Sequence, residues 1–131
     1  MAKSIAEKLL IKPDAALWVW PPARVGLIGR LPPAAFAAEG FASAAVVVLF
    51  VDDAASARAA LAAYHELLAN PPILWIAYPK GNRTDVNRDT LWPMVAEHGL
   101  RPITQIAIDE VWSALRFRRI APGEGPFVGP G

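Results

Sequence analysis

The sequence predicts an α/β protein, a three-layer sandwich around a mixed, mostly parallel sheet. Three observations carry this. Residues 44–51 are an unbroken apolar, β-branched run that fits a strand covered on both faces. An Ala-rich segment over 54–69, with Leu61, Tyr64 or His65, and Leu68 at helical spacing, separates it from a second buried-type strand over 73–78. Two final runs, 103–108 and 111–117, are joined tightly at Asp109-Glu110, so they pair antiparallel. Buried strands alternating with helices imply right-handed parallel crossovers. The last hairpin adds one antiparallel strand.

Taken in order, residues 4–10 read as a short helix with Ile5, Ala6 and Leu9 inward, ended by a Pro13-Asp14 turn. Leu17-Trp18-Val19-Trp20 reads as the first strand, stopped by Pro21-Pro22. Residues 24–30 show no clear period. Pro32-Pro33 ahead of 34–39 predicts a short helix with proline at its start. Asp53 is placed to cap the 54–69 helix, because its carboxylate can accept a first-turn N–H. Asn70-Pro71-Pro72 closes that helix. A further helix spans 89–98, and Gly99 fits its left-handed C-terminal position. Pro93 constrains where this helix starts. A cap at Asp89 leaves the proline near the first turn, whereas a cap at Asn87 puts it in the interior and kinks the helix. A single domain is expected over 1–120, with a flexible Gly/Pro-rich tail over 121–131.

Composition narrows the function. At 131 residues the chain can bury one core. Its 54% hydrophobic content argues against disorder. A net charge of +1 lacks the basic excess of a general nucleic-acid binder. There is no cysteine, so disulfides, thiolate metal sites and cysteine nucleophiles are excluded. No apolar run approaches the ~20 residues of a membrane helix. The N-terminus has no long apolar core before a cleavage-like site. A cytoplasmic protein is expected. His65 and His98 lie on different predicted helices with no carboxylate at metal-ligand spacing. Neither a metal site nor a cofactor is therefore expected.

The loop over 78–89 is the leading candidate site, because ligands in open α/β sheets sit beyond the carboxyl ends of strands. Lys80, Arg83 and Arg88 can pair with a phosphate or carboxylate. Tyr78, Asn82, Asp85 and Asn87 can hydrogen-bond a polar ligand. Capping competes with this reading, since Asp85, Asn87 and Asp89 are ordinary helix-start residues. Other features are read as structural. Gly26 and Gly29 belong to a turn, and most of Trp18, Trp20, Trp75, Trp92 and Trp112 belong to the core. Asp109 and Glu110 are turn residues. Arg116, Arg118 and Arg119 form a solvated basic edge.

Two resemblances follow. The segments Leu74-Trp75-Ile76-Ala77-Tyr78-Pro79-Lys80-Gly81, Asn87-Arg88-Asp89-Thr90-Leu91-Trp92, Gly99-Leu100-Arg101-Pro102, Gln105-Ile106-Ala107-Ile108-Asp109 and Trp112-Ser113-Ala114-Leu115-Arg116-Phe117-Arg118 resemble a bacterial domain-of-unknown-function family. That likeness implies a small α/β protein with no established activity. The run 44–51, the helices, the strand at 73–78 and the terminal hairpin also resemble the second half of a class I S-adenosylmethionine-dependent methyltransferase. This second likeness implies a truncated, Rossmann-like fold whose antiparallel last strand inserts beside the one it follows. Pro21-Pro22-Ala23-Arg24-Val25-Gly26-Leu27-Ile28-Gly29 stands where that family has a Gly-rich turn.

The expected function is a non-catalytic or regulatory module binding a small anionic ligand or a protein partner. One alternative is a minimal methyltransferase-like enzyme with its pocket beside Trp20 and Asp52. The other is a structural homodimer.

Overall fold

The computed structural model describes residues 4–124. Six strands form one sheet: β1 (Ala16–Trp20), β2 (Phe36–Ala37), β3 (Val46–Phe50), β4 (Ile73–Pro79), β5 (Leu100–Ala107) and β6 (Trp112–Arg119). Their order across the sheet is β2-β1-β3-β4-β6-β5. The pairs β1·β2, β1·β3 and β3·β4 are parallel. β6 runs antiparallel between β4 and β5. The predicted mixed, mostly parallel Rossmann-like sheet is therefore present, and its last strand enters the sheet beside β4.

The alternation along each strand explains why both faces are covered. Val47, Leu49, Leu74, Ile76, Leu115 and Phe117 point to one side and pack with Leu61, Leu91 and Val95 of α2 (Ala54–Ala63) and α3 (Arg88–Ala96). Val46, Val48, Phe50, Trp75 and Ala114 point to the other side and pack with Ala6 and Leu9 around α1 (Ile5–Lys8) and with Ile28. Trp75 is fully buried, and its indole N–H donates to the Leu9 carbonyl at 2.9 Å, fastening α1 to the sheet.

Several expectations change in the tertiary context. Residues 34–39 do not form a helix. Ala34 adopts φ +63°, and the Phe36 and Ala38 N–H groups donate to the carbonyls of Ala15 and Leu17. Sheet pairing takes this segment, giving β2. The 54–69 helix ends at Ala63, and His65–Leu67 continues as a 3-10 helix. At that break Tyr64 stacks on Phe41, with ring centroids 4.7 Å apart. The segment without period, after Trp20, is a 3-10 helix over Pro22–Leu27. α3 starts from Asn87 and not Asp89, so Pro93 does sit in its interior. β5 begins earlier than expected and tolerates Pro102 because it lies at the sheet edge, with a register shift between Pro102 and Thr104. Asp53 caps α2 as expected, accepting from the Ser56 N–H at 2.7 Å. Gly99 takes φ +81° just beyond α3.

Of the tail expected over 121–131, residues 121–124 are described. Glu124 there binds Arg101 at 2.7 Å, Arg118 at 2.8 Å and the Ala121 N–H at 2.8 Å. The rest of that expected tail lies outside the described residues. No helix among the described residues is long and apolar enough to cross a membrane.

Candidate functional site

β4 ends at Pro79 and turns sharply. Gly81 and Asn82 both have positive φ, at 70° and 56°, and this brings the chain back over the carboxyl end of the strand. The loop is held at its start by the Lys80 N–H, which donates to the Val111 carbonyl at 2.7 Å. Asn87 holds its far end. The Asn87 side-chain oxygen accepts the N–H groups of Asp89 and Thr90 at 2.9 and 3.0 Å, and its amide donates to Asn82 Oδ1 at 3.0 Å. Thr90 Oγ1 accepts the Asn87 N–H at 2.9 Å. One asparagine thus starts α3 and ties the turn to it.

Between this loop, the first turn of α3 and strands β5 and β6 lies a cleft of about 550 Å³. Its lining includes Tyr78, Lys80, Asn82, Arg88, Gln105 and Ser113. Tyr78 and Ser113 are direct partners across β4 and β6, so their side chains share a face and form the floor. Gln105 Nε2 donates to the Tyr78 hydroxyl at 2.9 Å. Burial of Tyr78 pushes its phenol above the ordinary value of 10.0. Coulombic attraction to Arg88 works against that rise. The floor is therefore uncharged at neutral pH, a set of hydroxyl and amide groups beneath a rim that carries Lys80, Arg88 and one carboxylate, Asp89. Arg88 lies 3.4 Å from Asp89 in an exposed pair, a geometry that contributes little binding of its own. Lys80 makes no ion pair among the described residues.

Five of the residues singled out in the sequence, Tyr78, Lys80, Asn82, Asn87 and Arg88, meet around this cleft. Arg83 and Asp85 are not part of its lining. The Asp85 carboxylate turns the other way and accepts the Ala54 N–H at 2.7 Å, capping α2 from across the fold. Gln105, Ser113 and Thr90 were not singled out by sequence reasoning. Ser113 did carry a signal, as a lone small polar residue among apolar neighbours in a strand run.

The other place of interest is the switch in strand order between β1 and β3. There Arg24, from the 3-10 helix after β1, pairs with Asp52 at 2.8 Å and lies over the Trp112 ring, 4.8 Å from its centroid. Trp112 in turn meets Phe50 edge-on at 5.2 Å. Asp52 is thus engaged by a side chain of the chain itself. Trp20 stands 42% exposed nearby.

No protein-family model and no curated protein matches the sequence. Solved structures do match at the level of fold. Sp1610 of Streptococcus pneumoniae, named for a proposed tRNA (m1A22) methyltransferase activity, aligns with a TM-score of 0.54 and 13% identity over 91% of this chain and 71% of its own. A protein of the NADB-Rossmann superfamily from Streptococcus agalactiae aligns with a TM-score of 0.53 and 10% identity, over 91% of this chain and 68% of its own. At these identities the likeness is one of fold, and the chain has a Rossmann-like, methyltransferase-like α/β fold.

Proposed function

We propose that the protein is a non-catalytic or regulatory module that binds a small anionic ligand in the cleft at the carboxyl end of β4. The observation that carries this reading is the pairing of Lys80 and Arg88 at the rim with the uncharged Tyr78–Gln105–Ser113 floor. The rim supplies charge to a phosphate or carboxylate, and the floor supplies directional hydrogen bonds to the rest of the molecule. The test is thermal unfolding against phosphorylated and carboxylated metabolites. Ligand at ~100 times its dissociation constant adds about 2.7 kcal/mol, a rise of several degrees. Lys80→Ala with Arg88→Ala should remove the shift, while Arg83→Ala, outside the cleft, should keep it. Equal shifts in all variants would reject the site.

The shared fold favours a second reading, a minimal S-adenosylmethionine-dependent enzyme with its pocket beside Trp20 and Asp52. Asp52, paired with Arg24, keeps a 59% exposed side chain there. A thermal shift with S-adenosylmethionine that survives loss of Lys80 and Arg88 would favour it over the first reading.

A further inference from the structure

We infer that the ligand of the β4 cleft is a small polyol bearing one anionic group, the chemistry shared by sugar phosphates and sugar acids, an inference that rests on the anion-binding reading of the same cleft. The lining decides the class. Apart from Gly81, every residue that lines the cleft carries a hydroxyl, amide, ammonium, guanidinium or carboxylate group. Small-molecule pockets are ordinarily walled by aliphatic and aromatic side chains, with few polar groups among them. Among the described residues no such wall is present here, so an acyl chain has nothing apolar to bury against. The one aromatic ring of the lining, Tyr78, is 3% exposed, and its hydroxyl is bonded to Gln105. A nucleobase therefore has no open ring face on which to stack. At about 550 Å³ the cleft lies within the usual range of small-molecule sites, so a lone oxyanion leaves much of it to other groups.

The polar groups match hydroxyls in kind, since a hydroxyl both donates and accepts. Gln105 spends one amide N–H on Tyr78 and retains a second N–H and its carbonyl oxygen. Asn82 accepts from Asn87 through Oδ1 and retains its own amide N–H groups. Ser113 supplies a hydroxyl from the floor. The Asp89 carboxylate, on a side chain 70% exposed, is an acceptor at the rim. A run of neighbouring hydroxyls satisfies such a mixture of donors and acceptors, and a bare carbon skeleton does not.

Charge sets the number of anionic groups. Lys80 and Arg88 bring two positive charges and Asp89 one negative, which leaves one positive charge over. The Asp89 and Thr90 N–H groups at the start of α3 are already taken by the Asn87 side chain, so the anion depends on the two cations. One phosphate or carboxylate is accommodated. A second anionic group would meet Asp89 with no further cation to offset it.

The test is isothermal titration of the full chain at neutral pH with glucose 6-phosphate, gluconate, inorganic phosphate, ribose 5-phosphate and AMP. Glucose 6-phosphate or gluconate should bind at least about tenfold tighter than inorganic phosphate, as two or more added hydrogen bonds would give. The tighter of the two identifies the anionic group as phosphate or carboxylate. AMP should bind no tighter than ribose 5-phosphate. Gln105→Ala and Ser113→Ala should each lower the ratio of polyol to phosphate affinity roughly two- to tenfold, the worth of one hydrogen bond. If either variant fails to fold, judged by its thermal midpoint, the wild-type affinities decide the matter. Inorganic phosphate bound as tightly as glucose 6-phosphate and gluconate would overturn the polyol assignment and leave the anion site standing. AMP bound about tenfold tighter than ribose 5-phosphate would do the same. Polyol binding that survives Lys80→Ala with Arg88→Ala, or no binding of any of the five, would overturn the anion-binding reading itself and this inference with it.

Discussion

Replacing Asp85 separates a structural role from a ligand-binding one. Its carboxylate accepts the Ala54 N–H at 2.7 Å, 31 residues away in sequence. Ala54 opens α2, where Asp53 already satisfies the Ser56 N–H. Ala54 is only 5% exposed, so Asp85→Ala leaves its N–H with little access to water as a substitute. A buried donor left without a partner costs about 1–3 kcal/mol. With an unfolding entropy of roughly 2.1 cal/mol/K per residue, a chain of this size loses about 3.6 °C per kcal/mol, so the midpoint should fall roughly 4–11 °C. Calorimetry reads the midpoint, and hydrogen exchange reads the Ala54 amide, which should exchange faster in the variant. Anion binding in the β4 cleft should survive at temperatures where the variant is folded. A midpoint within about 1 °C of wild type, together with lost anion binding, would refute the capping assignment and restore Asp85 as a ligand residue.

Three further outcomes are expected. Gly81→Ala meets no neighbour within 4 Å but must hold φ +70°, so it should cost about 1–2 kcal/mol by denaturant titration. No change would mean the turn relaxes freely. Trp75→Phe removes the N–H that serves the buried Leu9 carbonyl and leaves unfilled space. A loss of about 2–4 kcal/mol is expected, and a change below about 0.5 kcal/mol would show that α1 is not fastened through this bond. The Arg118 hydrogen bond, and then the Ala121 N–H, hold the Glu124 carboxyl at about 2, below its ordinary 4.5. A lowered folded-state value stabilises above pH 4.5 and loses that contribution as pH falls toward 2, so Glu124→Gln should flatten the acid limb of a stability–pH curve there. Parallel limbs for the two proteins would disprove the coupling.

Parts of the fold are decided within a few residues and were readable there. The all-apolar run of β3, the cap at Asp53 and the turn at Gly99 depend on burial pattern, a local carboxylate and a backbone angle. The cleft was half legible for the same reason. Tyr78, Lys80, Asn82 and Arg88 are neighbours along the chain, so one loop announces them. Gln105 and Ser113 reach the same cleft only because β6 inserts between β4 and β5. The start of α3 was ambiguous because Asn87 and Asp89 are both good caps. Asn87 prevails, since it also bonds Asn82, and Pro93 then costs α3 the hydrogen bond a backbone N–H would have made at that position.

By itself the sequence determined the α/β class, the two central buried strands, the start of the long helix and the loop on which a site would sit. These follow from periodicity and from hydrogen bonds between near neighbours. Only the tertiary structure decided that residues 36–37 extend the sheet, that Asp85 reaches the start of α2, that Arg24 pairs with Asp52, and that His65 meets His98. Each of these joins groups 20 or more residues apart in sequence. Their partners are set by the order in which strands pair across the sheet, and no local pattern encodes that order.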